Sequence, residues 1–268
     1  MDRYSGMVEN LVKLLQIESV MGEPQPGMPF GKKTYEALKF MLELGESFGF
    51  LAKDVEGYAG HIEWGEGEQL FGVLVHLDVV PAGENWSYPP FGAVIDGGRI
   101  YARGTLDDKS PAIAALYAAK RLKDEGFVPK RKFRLIMGLN EENGWRCMDY
   151  YSKHERMPDL GFSPDADFPV INREKGVLFV KCAFEAADKN LTQCEGGTRI
   201  NMVPDSAHFV YGGVREDFKG VSAHGSKPQM GENAVHKMMA RLKELTADGA
   251  VHAIYELLCS EGFLVKLG

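Results

Sequence analysis

Apolar positions along the chain follow two different periods. From Met7 to Val20 they recur at 7, 8, 11, 12, 14, 15 and 17, which is the stripe of one helix face. A second stripe from about Lys33 to Phe48, stopping near Gly49, predicts another amphipathic helix. The Gly- and Pro-rich segment Gly22–Gly31 between them predicts a loop. The period then changes. Leu51–Val55 and His61–Trp64 read as short strands. Phe71–His76 is apolar enough for a strand buried on both faces. Val79–Arg103 is loop-like, with Pro81, Pro89 and Pro90, and includes a hairpin turning at Asp96-Gly97-Gly98. Ser110-Pro111 opens an Ala-rich helix, with Ser110 as N-cap and Pro111 at the first helical position, running through Lys123 toward Gly126. Phe133–Leu139 is a second buried strand, Trp145–His154 a helix, and a short strand delivers Phe162-Ser163-Pro164-Asp165.

Strands that alternate with helices predict an α/β fold: a mixed, mostly parallel sheet flanked by helices. Near Gly176 the texture changes. Val177–Phe184 opens a second, α+β region that ends in a helix over Ala234–Leu245. The expected domains are 1–176 and 177–268.

Composition narrows the classes. The 268 residues are 44% hydrophobic and 26% charged, enough for one large domain or two smaller ones. A net charge of -7 argues against a general nucleic-acid binder, which carries a basic face. Cys147, Cys182, Cys194 and Cys259 form no C-x-x-C pair, so reduced thiols in a cytoplasm are expected. No signal-peptide core follows Met1, and no apolar run reaches the length of a membrane span. These features predict a soluble cytoplasmic protein with neither a membrane nor a nucleic-acid partner.

Candidate chemistry gathers at the predicted strand ends, where open α/β sheets place their sites. His76 closes the most apolar strand, and Asp78 follows two positions later. An isolated H-x-D more often marks a core histidine. Behind it, however, come Asp107 with Asp108, the pair Glu141-Glu142, and Asp165. Each alone has an ordinary explanation: a helix cap, solvated loop carboxylates, an Asx turn. Together they bring like charges to one sheet edge, and a cation relieves that repulsion. One imidazole with several carboxylates suits Zn²⁺, with Mn²⁺ or Co²⁺ as alternatives, better than Ca²⁺. Of two adjacent glutamates, one can hold metal while the other stays free as a base. That base would take a proton from the attacking water and return it to a leaving amine. The pattern points to metal-assisted hydrolysis of an amide.

Longer motifs carry a resemblance. His76–Pro81, Trp86, Pro89-Pro90-Phe91 and Ile100–Lys109 look like the zinc metallopeptidase family that includes aminoacylase, carboxypeptidase G and bacterial PepV dipeptidases. Asn140–Trp145, Phe162–Pro169, Asn201-Met202-Val203-Pro204 and Gly220–Pro228 resemble the PepV-type dipeptidases in particular. The resemblance implies a two-zinc exopeptidase domain and a lid, acting on dipeptides or short peptides. It implies that His76 and Asp165 bind one zinc, Glu142 the second, and that Asp107 bridges the two. It makes Glu141 the general base and Asp78 the orienter of His76. It marks Asp107-Asp108 as a frequent cis peptide. His224 would be the lid histidine that reaches the substrate carbonyl, and Asn201 a lid residue facing the cleft.

The chain departs from that family in two places. The last zinc ligand there is a histidine near the C-terminus, whereas this sequence stops at Leu264–Gly268, still in the lid. His236 and His252 sit in helical sequence without a ligand motif. The interval Asp205–Gly220 is also short, and Tyr211-Gly212-Gly213-Val214 reads as a junction across a deletion. A truncated dipeptidase with an incomplete lid is therefore expected, prone to self-associate through uncovered lid or sheet surface. The rivals are a deacylase or desuccinylase of the same family and a non-catalytic remnant keeping one metal on His76, Asp107 and Asp165.

Overall fold

The computed structural model describes residues 5–83, 86–166, 169–173, 176 and 178–259. The expectations that fall on Asp167, Phe168, Val177 and Leu264–Gly268 lie outside these residues. The chain divides into two compact units, Met1–Ile171 and Asn172–Gly268.

The first unit is built on five strands: β1 (Leu51–Val55), β2 (Ala59–Trp64), β3 (Leu70–His76), β6 (Lys132–Gly138) and β7 (Leu160–Phe162), ordered β1-β2-β6-β3-β7. The β1–β2 and β2–β6 pairs are antiparallel, and β6–β3 and β3–β7 are parallel. Helices α1 (Ser5–Leu15), α2 (Lys32–Ser47), α3 (Ser110–Asp124) and α4 (Arg146–His154) pack around the sheet. Inner strands carry Val73, Val75, Leu135 and Ile136, all at most 2% exposed, because helices cover both faces. On α3, Ala112, Ile113, Leu116 and Ala119 turn to the core, the spacing of one helical face. A detached hairpin, β4 (Val94–Asp96) and β5 (Arg99–Tyr101), turns at the expected glycines, Gly97 (φ 55°) and Gly98 (φ 75°).

Strand register sets the site. His76 on β3 lies opposite Gly138 on β6, and Val73 on β3 lies opposite Phe162 on β7. Three parallel strands thus end at one edge with β3 in the middle. The chain leaving β6 reaches Glu141 and Glu142 on one side of His76. The chain leaving β7 reaches Asp165 on the other.

Two local expectations are corrected. The first helix ends at Leu15, not near Val20. The buried Lys109 Nζ donates to the carbonyls of Leu14 and Ile17, and Val20 leaves to bridge Val79. Carbonyls taken by an ammonium group close the helix earlier than the apolar stripe suggests. Ser110 is not the N-cap. Lys109 occupies that position with helical φ and ψ, no side chain caps the helix, and Ser110 is already helical. The turn of residues 105–109, with a cis peptide at Asp107-Asp108, feeds directly into α3. At the start of the second unit, residues 178–187 form no strand. Leu178, Phe179 and Val180 are exposed there, without a neighbouring strand to pair with.

The second unit is an antiparallel sheet of β8 (Leu191–Gly196), β9 (Ser206–Tyr211) and β10 (Val214–Lys219), with helices α5 (Ala234–Leu245) and α6 (Gly249–Cys259). Phe209, Met238, Met239, Leu242 and Val251 form its core. The segment that reads as a junction, Tyr211–Val214, is a two-residue hairpin with Gly212 at φ 57° and Gly213 at φ 82°. Only such left-handed turns match the twist of the flanking strands. Among the described residues, no helix is long and apolar enough to cross a membrane.

Candidate metal centre

His76 is the hub of the first unit's strand edge and is 3% exposed. Its Nδ1 lies 2.9 Å from the Asp78 carbonyl oxygen, which can only accept. Nδ1 therefore donates to it, and Nε2 is left facing outward, free to donate to a carboxylate or to meet a cation. Nε2 lies 2.8 Å from Asp107 Oδ1 and 3.4 Å from Asp165 Oδ2. One ligand atom from each of His76, Asp107 and Asp165 falls within 4.8 Å of the others. Asp107 and Asp165 are open to solvent, so an ion has a way in.

Asp78 is fully buried and organises a different part of the site than its spacing suggests. Its main-chain carbonyl, not its carboxylate, makes the short contact to His76; Oδ1 is 3.5 Å from Nδ1. The carboxylate instead accepts the amides of Glu141 (3.1 Å) and Glu142 (3.2 Å). One residue thereby fixes both the imidazole and the glutamate pair.

Electrostatics mark the cluster as short of positive charge. Burial opposes protonation of His76, but hydrogen bonds to Asp107, Asp165 and Asp78 outweigh it and push its pKa well up. The His76 hydrogen bond holds the Asp107 carboxyl below its usual range. Burial, then the charge of Asp165, raises Asp108 to about 8. Burial, then the charge of Asp107, raises Glu142 to about 7, and burial raises Glu141 as well. Asp108 spends Oδ2 on the His76 amide at 3.1 Å, while its buried Oδ1 has no hydrogen-bond partner among the described residues. An orphaned buried carboxylate oxygen beside two more carboxylates and an imidazole is a donor set that fits a divalent cation.

The expected residues are thus not all gathered equally. His76, Asp107 and Asp165 converge. Glu142 stands outside that triad, near enough to Asp107 to feel its charge. Asn201 and His224 belong to the second unit. There Met202 bridges His224, and the Gly225 amide donates to the Asn201 carbonyl at 2.7 Å, so the two motifs lie side by side. A Cβ at Gly225 would meet that carbonyl at 2.9 Å, which explains the glycine. His224 is exposed and pairs through Nδ1 with Ser226 Oγ at 2.7 Å. Sequence reasoning missed Trp145 as a participant: its indole Nε1–H donates to Glu141 Oε1 at 3.2 Å. The only available signal was its place four residues after that glutamate.

A mixed α/β sheet that carries an imidazole and carboxylates at its parallel-strand edge offers a donor set suited to a divalent cation. The chain belongs to the peptidase family M20/M25/M40, whose profile it matches over residues 72–266. It is 47% identical over 219 residues to "Putative dipeptidase YtjP" of Bacillus subtilis strain 168, covering 79% of this chain and 47% of that protein. It is 44% identical over 210 residues to a "Putative dipeptidase" of Staphylococcus epidermidis, covering 75% and 45%. Among solved structures, it superposes on an M20 family metallo-carboxypeptidase from Sulfolobus solfataricus with a TM-score of 0.53 and 26% identity, covering 62% of this chain and 38% of that one. It shares the fold of human carnosine dipeptidase 1 at TM-score 0.52 and 19% identity, covering 61% and 39%. The chain spans about half the length of the curated relatives it matches.

Proposed function

We propose that this chain carries the site of an enzyme that hydrolyses the peptide bond of dipeptides or short peptides with two zinc ions. The observation that carries this reading is His76 Nε2 aimed between Asp107 and Asp165, with Glu141 and Glu142 hung together on Asp78. His76 and Asp165 would hold one metal, Glu142 the other, and Asp107 would bridge them. Bound there, the metal supplies Lewis-acid polarisation of the scissile carbonyl. Glu141 takes the proton from the attacking water and returns it to the departing amine. Its raised proton affinity suits a group that must accept and then release. Relatives named as dipeptidases support the substrate class. We read the first unit as the catalytic domain and the second as a lid, with Asn201 and His224 as its substrate-facing residues.

The test is a Glu141→Gln variant assayed with Zn²⁺ against a dipeptide panel, alongside metal content. Metal should stay bound while turnover falls by about a hundredfold or more. A variant as active as the parent would refute the base assignment.

A further inference from the structure

Glu141 and Glu142 are adjacent and chemically identical, and both amides rest on the Asp78 carboxylate. Side-chain type cannot decide which binds metal and which remains a base. Only Glu141 has a hydrogen-bond donor from a side chain among the described residues, the Trp145 indole at 3.2 Å.

The backbone of Trp145 is held in place. Its amide donates to the Asn140 carbonyl at 2.8 Å, and its own carbonyl accepts the amides of Met148 (2.9 Å) and Asp149 (3.1 Å) at the start of α4. Asn140 Oδ1 accepts the next amide, Arg146, at 3.2 Å. The backbone sits at φ 61°, a left-handed conformation unusual for a bulky residue, just after Gly144 at φ 110°. Such a conformation persists only where its surroundings impose it. The residue is nonetheless 45% exposed, so burial does not explain its placement. An indole N–H is a donor only; it can engage a carboxylate but cannot compete as a metal ligand.

We propose that Trp145 is a positioning residue that holds the Glu141 carboxylate out of the metal cluster, so that Glu141 stays a base and Glu142 becomes the ligand. This rests on the metal-centre reading above. Without the indole, Glu141 would swing into the cluster beside His76 and Asp165 and add a carboxylate to the ligand set.

Co²⁺ tests this, because its visible absorption reports ligand number and geometry and requires no turnover. The chain as it stands would be titrated with Co²⁺ as wild type, Trp145→Phe, Glu141→Gln and the double variant Trp145→Phe/Glu141→Gln. Wild type and Glu141→Gln should give the same spectrum. Trp145→Phe should shift its absorption bands, as an added carboxylate ligand does. The double variant should return to the wild-type spectrum. An unchanged Trp145→Phe spectrum, or a change that survives in the double variant, would overturn the proposal. If Trp145→Phe does not fold, Glu141→Gln decides alone: a spectrum differing from wild type places Glu141 among the ligands and overturns it. Absence of Co²⁺ binding by wild type would bring down the metal-centre reading itself, a failure distinct from the others.

Discussion

At the scale of single residues, the site depends on what each carboxylate accepts. Asp78 looks like a simple orienter of His76 two positions earlier, since a strand-end histidine commonly has a carboxylate behind it. Folding gives that task to its main-chain carbonyl and spends the carboxylate on two amides from a loop more than sixty positions away. Asp78→Asn should therefore disturb the glutamate pair more than the imidazole, because the amide NH₂ would face an amide N–H. Zn²⁺ affinity, measured by competition with a chromophoric chelator, should fall about 10- to 100-fold with the fold retained. His76 and Asp165 were legible because they follow apolar strands. The partnership of Trp145 with Glu141 was not, because nothing in N-E-E-N-G-W says that Trp145 adopts a left-handed φ and turns its ring back.

At the scale of elements, two buried polar groups control stability. Lys109 is fully buried and ties the end of α1 to the turn of residues 105–109 through the Leu14 and Ile17 carbonyls. Lys109→Met should leave both carbonyls short of a donor and cost about 2 kcal/mol or more in urea unfolding. A cost near zero would mean that water replaces the ammonium. On β2, His61 is 3% exposed and pairs with Tyr151 Oη at 2.9 Å. Burial, then the Arg134 charge, pushes its pKa down to about 4. The folded state thus binds fewer protons than the unfolded chain between pH 4 and the ordinary histidine value near 6.5. The stabilisation is complete above pH 6.5 and fades as pH falls toward 4, by up to about 3 kcal/mol. Urea unfolding of wild type and His61→Gln from pH 7 to pH 4 should show a shallower acid loss in the variant. Equal slopes would place the titration elsewhere.

At the scale of the whole molecule, ion binding and uncovered apolar surface should dominate behaviour in solution. A cation that binds the folded state alone adds about 2.7 kcal/mol at a hundred times its Kd. Zn²⁺ should raise Tm, a chelator should reverse the rise, and His76→Ala should abolish it. A trough of about 530 Å³ in the first unit is lined by Phe71, Leu122, Phe127, Phe133 and Phe162, with Phe127 and Phe162 more than half exposed. Apolar patches of this kind promote association. Sedimentation velocity should show concentration-dependent self-association that Phe162→Lys weakens.

By itself, the sequence determined which segments become buried strands and helices, because apolar periodicity reports burial directly. It also placed the chemistry-bearing residues at the ends of those segments. Longer motifs supplied the family. Tertiary structure decided what periodicity cannot encode: that β3 lies between β6 and β7, so that Asp165 and the glutamate pair arrive on opposite sides of His76. It also decided that Lys109 ends the first helix, and that Trp145 engages one glutamate of two. Each depends on hydrogen-bond partners distant in sequence or on the path of the backbone, and only the folded chain brings those groups within about 3 Å of one another.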